Sequence, residues 1–108
     1  MAEYWQRGES LDYTNAGSAA IEAGDVIVLG TKIGVAGCDI AVGAVGSVHV
    51  EGVYKFPKAT GAITIGAAVY WDATNENITT TSTSNTLAGY AAAAAASADT
   101  TVLVKINA

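Results

Sequence analysis

The stretch GYAAAAAASADTTVLVKI, residues 89–106, decides between a chain that ends in a helix and an all-β fold. Alanine is the strongest helix former, so the six alanines at 91–96 favour a helix by propensity alone. The run is much shorter than the roughly 12–15 residues that an isolated helix needs in water, and the turn-type cluster SADT follows it. Apolar and polar residues then alternate, with Val102, Val104 and Ile106 on one face. We therefore expect a strand, a tight turn and a second strand, with alanines present for their small size.

The segment GSVHVEGVYKFP, residues 46–57, shows the same period of two over a longer stretch. Its even positions form an apolar face and its odd positions a mostly polar one, which predicts one strand that ends at Pro57. The apolar face comprises Val48, Val50, Gly52, Tyr54 and Phe56.

The rest of the chain adds short apolar runs separated by turn residues. DVIVLG, KIGVAG and AAVYWD read as strands, and ITTTSTS is typical of an edge or solvated strand. Residues 1–20 are polar and without a pattern apart from a few aromatic and apolar side chains. The sequence thus predicts an irregular N-terminal arm over 1–20 and a single all-β domain over 21–108, a small barrel or sandwich of about eight short strands.

A short pattern, I-x-x-G, occurs three times, at residues 21–24, 40–43 and 63–66. Each copy leads into a run that contains valine, as expected for an apolar anchor and a glycine turn before a strand. Two explanations of the repeated pattern are open: internal duplication, or coincidence in a chain rich in Ala, Gly and Val.

Composition narrows the function classes. The chain has 108 residues and a net charge of −5, and its five Lys and Arg residues are dispersed, which argues against binding nucleic acid. It lacks an apolar stretch long enough to cross a membrane, and the first ten residues lack the apolar core of a signal peptide, so we expect a cytoplasmic site of synthesis. Sparse charge in a half-apolar chain indicates a surface that is covered by another protein.

No catalytic or cofactor-binding pattern is found. His49 falls on the polar face of its strand, and Cys38 is the single cysteine, which excludes a disulfide within the chain and a multi-cysteine metal site. The ten acidic residues are dispersed without the spacing of a calcium loop, and GTKIG lacks the spacing of a phosphate-binding loop. The sequence predicts no enzyme, cofactor, metal or small-molecule substrate.

From Gly8 to Asn107 the chain resembles the capsid cement, or decoration, proteins of tailed phages and prophages. The resemblance rests on EGVYKFPKATG, on VYWD before a Thr-rich strand, and on GYA followed by the alanine run, SADT and a final V-x-V-x-I strand. It implies a β-tulip-like fold similar to the lambda head decoration protein. It also implies trimers that bind the major capsid protein on the outside of the head and stabilise the shell, so that the protein ends in the virion after a period in the bacterial cytoplasm.

Two sets of contact residues follow as hypotheses. The N-terminal arm, with its aromatic side chains, could add a strand to the capsid, or it could pack on its own domain. Small or polar residues could lie between protomers, with the alanines allowing close approach. The arm residues are Tyr4, Trp5, Leu11 and Tyr13, and the protomer interface residues are His49, Glu51, Lys55, Ala92 and Ala94.

The alternative is a small β-barrel module that binds a glycan or peptide on a phage tail or host surface. Tyr70 and Trp71 would offer its aromatic platform. Alternation along a strand sends only one of these two side chains outward, which weakens this interpretation.

Overall fold

The computed structural model describes residues 2–4 and 8–108, and over these residues the chain forms nine strands and no helix. The strands form two antiparallel sheets, sheet 1 in the order β1-β4-β3-β2 and sheet 2 in the order β5-β9-β8-β6-β7. The all-β prediction is therefore confirmed, as a sandwich-like arrangement. The strands are β1 (Ser10–Thr14), β2 (Val26–Leu29), β3 (Lys32–Ala36), β4 (Val45–His49), β5 (Val53–Pro57), β6 (Ala68–Asp72), β7 (Asn77–Thr79), β8 (Thr86–Ala91) and β9 (Thr101–Ile106).

The segment 46–57 is not the single strand that its alternation predicts. It forms β4 in sheet 1 and β5 in sheet 2, with a bend between them. At the bend Gly52 has a φ of +113°, a conformation open to glycine but strained for other residues. The alternation nevertheless continues across the bend, since Val48 and Phe56 are both buried.

The alanine run forms no helix, as predicted, but most of it is not strand either. Ala91 ends β8, and the next four alanines form an irregular segment that Ala95 fixes through a bridge to Ile63. Ala91 and Ala95 are buried, whereas Ala94 is exposed. The run therefore leads from β8 to the next turn with the methyl groups of its first and fifth residues packed inward.

Part of the segment predicted to be an irregular arm is also ordered in the fold. Residues 10–14 form β1, which pairs with β4 along its whole length, from Ser10 opposite His49 to Thr14 opposite Val45. The sequence does carry a short period-2 alternation here, with apolar Leu11 and Tyr13 between polar residues, which the prediction of an irregular arm missed.

The Thr-rich segment contributes β7, the edge strand of sheet 2, as its composition predicts. It is shorter than expected, and its Ile78 side chain is fully buried. Opposite edges of sheet 2 meet at one parallel bridge between Lys58 and Ile78, where the Ala59 N–H donates to the Ile78 carbonyl at 2.9 Å.

Apolar side chains form two clusters of unequal size. The larger lies mainly on the inner side of sheet 2 and includes Phe56, Trp71 and Ile78, together with Ile33 and Val35 from sheet 1. The smaller consists of Ile27, Ala36, Ile40 and Val48, with Tyr13 packed against it. Sheet 2 therefore holds most of the buried apolar surface.

The two sheets repeat one pattern of hydrogen bonds. Gly24 N donates to Ala36 O at 2.8 Å, and Gly66 N donates to Ala91 O at the same distance. The pair Ile21 and Ile40 exchange backbone hydrogen bonds, and so do Ile63 and Ala95. Residues 9–51, unit 1, thus match residues 52–108, unit 2. The strands β1, β2, β3 and β4 correspond to β5, β6, β8 and β9.

All three I-x-x-G segments are turns, and two of them, 21–24 and 63–66, occupy matching places in this duplication, whereas 40–43 matches 95–98. In each, the residue after the glycine donates back to the residue three before it, and Gly24, Gly43 and Gly66 have φ of +92°, +82° and +82°. A positive φ at the third position is the signature of a type II turn. The structure thus favours duplication over coincidence as the account of the repeated pattern.

The units differ in one long connection. Gly24 and Gly66 are 42 positions apart, whereas Ala36 and Ala91 are 55 apart, so unit 2 has 13 additional residues between them. These residues form β7 and its flanking turns, where unit 1 has only the tight turn at Gly30 and Thr31. The insertion adds Ile78 to the larger cluster.

Asn107 joins the two units. Its side-chain oxygen accepts a hydrogen bond from Ile33 N at 3.1 Å, and its amide nitrogen donates to Ile33 O at 2.7 Å and to Val50 O at 2.9 Å. Its φ is +57°, a conformation that asparagine and glycine tolerate best. Through these bonds the end of β9 holds strands β3 and β4 of the other sheet.

Replacing Asn107 with glycine removes these three hydrogen bonds without straining the backbone. We expect a loss of about 2 kcal/mol in the free energy of unfolding, measured by chemical denaturation, because the partners are partly buried. Ser84→Gly is the matched control, since Ser84 also has a positive φ, of 60°, and is exposed. Equal stability of the two variants would show that Asn107 does not hold the units together.

Candidate functional site

The outer side of sheet 2 presents an uncovered, largely apolar face. Val53 lies directly opposite Lys105, which lies opposite Tyr90, and Lys55 lies opposite Leu103. Residues opposite one another in antiparallel strands project their side chains on the same side of the sheet. Val53 is 52% exposed, Leu103 41% and Tyr90 37%. We call these five residues the lysine face.

The lysine face carries positive charge on a chain whose net charge is −5. Lys55 and Lys105 are exposed, and in the part of the chain that the structure describes neither has an ion-pair partner. Apolar contact area beside unpaired cations is suited to a protein partner with an acidic surface.

The predicted protomer-interface residues fall in several places. Lys55 and Ala92 flank Leu103, since Lys55 lies opposite it and Ala92 N donates to its carbonyl at 2.8 Å. His49 lies in sheet 1 and stacks on Tyr54, with ring centroids 6.3 Å apart. The exposed residues Glu51 and Ala94 lie at the bend before β5 and in the segment after β8. Of these five residues, the strand register places two, Lys55 and Ala92, beside the same residue, Leu103.

The predicted arm residues divide into an exposed end and a strand. Tyr4 is 86% exposed, and Trp5 lies outside the described residues. Leu11 and Tyr13 belong to β1, where Leu11 is 42% exposed and Tyr13 packs against the smaller apolar cluster. Tyr13 therefore has a role in the fold, while Tyr4 is available for contact.

Sequence reasoning did not select Val53, Tyr90 or Leu103. The signal for Leu103 was present, because the inward alternation of Val102 and Val104 places it on the outer side of β9. Its proximity to Lys55 depends on the pairing of β9 with β5, a contact between residues 48 positions apart that a local pattern does not encode.

Among the described residues, Asp72 and Tyr54 have displaced pKa values. Hydrogen bonds from the backbone N–H and side-chain amide of Asn75, with a further one from Thr74 N, hold the pKa of the exposed Asp72 carboxyl below its ordinary value. Burial raises the pKa of the Tyr54 hydroxyl, which donates to the Glu51 carbonyl at 2.9 Å. Asp72 thus fixes the turn into β7, and Tyr54 fixes the bend between the sheets.

The described residues offer little for catalysis or for an aromatic platform. Among them no three His, Cys, Asp or Glu residues are grouped to hold a metal ion, and no helix could span a membrane. Trp71 is buried with its ring centroid 6.1 Å from that of Phe56, so Tyr70 alone of the pair at 70–71 faces outward. The paired platform of the alternative interpretation is not formed.

A duplicated all-β sandwich with an exposed, partly apolar face and an exposed N-terminal tyrosine is typical of proteins that associate with other proteins. Comparison of the sequence with known protein families identifies the family. The chain belongs to the phage cement protein family, whose sequence model matches residues 5–106. No curated protein and no solved structure matches the chain.

Proposed function

We propose that this protein is a decoration protein that binds the outer surface of a phage or prophage head as a trimer and stabilises the shell. The observation that carries the proposal is the family match over 5–106, nearly the whole chain. Its partner is the major capsid protein, its location is the virion, and before assembly it resides in the bacterial cytoplasm. It acts by contact alone, as a structural protein.

The surface of the molecule supports this proposal. The lysine face and the exposed Tyr4 lie on separate parts of the chain, so one can serve contacts between copies while the other reaches the capsid. Several copies that are held together bind a repeating lattice more tightly than one copy, since each later contact forms at a high local concentration. A net charge of −5 is compatible with an outer face that does not contact DNA.

The segment before β1 is the proposed capsid contact. An exposed aromatic side chain ahead of an edge strand is suited to contact with another protein, and β1 is an edge strand of sheet 1 in the part of the chain that the structure describes. Leu11 is exposed on that strand and can join the contact. Tyr4 and Leu11 are therefore the retained arm candidates, and Trp5 stays a prediction.

Attachment to expanded heads of the parent phage that lack this protein tests the proposal. We expect saturable binding, measured by sedimentation, and a higher disruption temperature of the heads. Deletion of residues 2–8, which leaves β1 intact, is expected to weaken attachment by about 10–100-fold because a contact made by every copy is lost. Lys32→Glu is the control, since Lys32 lies in sheet 1 at the β2–β3 turn.

The outcomes test the cement role separately from the assignment of residues 2–8 as the capsid contact. A folded full-length protein that does not bind these heads would contradict the cement role and return the small binding module to consideration. Full binding after the deletion would retain the cement role and exclude residues 2–8 as the capsid contact.

A further inference from the structure

The duplication places one pair of opposite charges, Asp12 and Lys55, at matching positions of the two units. Val50 N donates to Glu9 O as Ile106 N donates to Gly52 O, which sets β1 and β5 in the same register. In this register Asp12 of β1 matches Lys55 of β5. Asp12 lies opposite Ser47, as Lys55 lies opposite Leu103.

The outer side of β1 and β4 is therefore the counterpart of the lysine face. Ser10 and His49, both half-buried, lie on this side, and so do four exposed residues that we call the carboxylate face: Asp12, Thr14, Val45 and Ser47. All four are exposed, Val45 by 63%, and Asp12 has no ion-pair partner in the described chain. The carboxylate face has one negative charge, on Asp12, and small side chains, whereas the lysine face has two positive charges and large side chains.

We infer that the lysine face of one copy packs against the carboxylate face of the next. Lys55 then lies near the partner's Asp12, and Leu103 packs over Ser47 and Val45 of the partner subunit. Opposite charges and a large side chain against small ones favour this contact, whereas either face against itself would bring like charges together. The inference rests on the proposed function only in taking copies of this chain to associate.

A contact between two different faces has a consequence for assembly. After the first contact the pair of copies keeps one free lysine face and one free carboxylate face, so association continues, and it closes into a ring when the rotation between copies brings the last copy to the first. If the same face of two copies met instead, association would end at a dimer. The inference thus names the residues at which the proposed trimer is joined.

Charge exchange tests the contact in solution, without heads. Asp12→Lys and Lys55→Glu are each expected to raise the dissociation constant for self-association by about tenfold or more, measured by light scattering over a concentration series, because each places like charges in contact. The double variant, with both substitutions in one chain, is expected to associate within about threefold of the parent protein. Lys32→Glu serves as the control with unchanged association.

Cysteine cross-linking fixes which faces meet. The chains Ser47→Cys and Leu103→Cys, each also carrying Cys38→Ser, are oxidised separately and as a mixture. A disulfide dimer from the mixture alone is expected. A dimer from either chain by itself, or none from the mixture both in solution and on heads, would overturn the inference. Loss of head attachment with a retained mixed dimer would contradict the proposed function and leave this contact standing.

Discussion

Replacing Gly89 with alanine is expected to lower the free energy of unfolding by about 4 kcal/mol or more, enough to leave little folded protein. A Cβ atom at this position would lie 2.0 Å from the backbone carbonyl oxygen of Lys105. Backbone cannot rotate away as a side chain can, so β8 and β9 would have to separate. The φ of Gly89, +144°, adds strain for any residue with a Cβ atom.

The duplication provides a graded comparison. Gly34 occupies the matching position in unit 1, and a Cβ atom there would lie 2.2 Å from Val48 Cγ1, a side-chain atom. Val48 can shift in part, and Gly34 does not have a positive φ, so Gly34→Ala is expected to cost about 1–3 kcal/mol. Gly8→Ala is the control, because its Cβ would meet nothing within 4 Å.

The measurement is chemical denaturation followed by circular dichroism, with the soluble fraction recorded where a variant fails to fold. We expect stability to fall in the order Gly8→Ala, Gly34→Ala, Gly89→Ala. A Gly89→Ala chain as stable as Gly34→Ala would show that the close approach of β8 to β9 is not required by the fold.

Local alternation in the sequence was sufficient to predict the fold class. Every second side chain of β9 is buried, as the pattern in TVLVKI predicts. The same reasoning failed at Gly52, because the inward and outward alternation continues through the bend although the chain changes sheet there. Periodicity reports which side of the chain is buried and does not report which strand is its neighbour.

The candidate surface could be predicted only in part, because periodicity does not report which strands are neighbours. Lys55 was selected from the polar side of its strand, and Leu103 could have been, but their adjacency follows from pairing between distant strands. The repeated I-x-x-G pattern was a weak signal because its fourth counterpart, at 95–98, has neither isoleucine nor glycine. At this fourth turn Asp99 N still donates to Ala96 O, so the turn is retained although its sequence has diverged.

The two units differ in the side chains that they bury. Two buried polar residues occupy matching positions, Asn15 in unit 1 and Lys58 in unit 2, and both donate to carbonyls of nearby loops. The apolar positions differ more, since unit 2 has Phe56 and Trp71 where unit 1 has Tyr13 and Leu29. We therefore expect unit 2 to supply most of the stability, and unit 1 carries the strand proposed for the capsid contact.

Phe56→Ala is expected to cost about 3–5 kcal/mol, whereas Tyr13→Ala at the matching position is expected to cost about 1–2 kcal/mol. Phe56 is 2% exposed within the larger cluster, and its loss leaves a cavity beside Trp71, with which its ring makes a tilted contact. Tyr13 is half-buried against the smaller cluster, so removal of its ring leaves less unfilled space.

Denaturation followed by circular dichroism compares the two variants, and Phe56→Leu keeps the comparison measurable if Phe56→Ala does not fold. The leucine variant is expected to lose about 1–1.5 kcal/mol, because it retains most of the buried volume. Equal losses for Phe56→Ala and Tyr13→Ala would contradict the unequal division of stability between the units. Since attachment is proposed to use unit 1, a folded Phe56→Leu protein should bind heads as the parent does, which separates the contribution of the core from that of the contact surface.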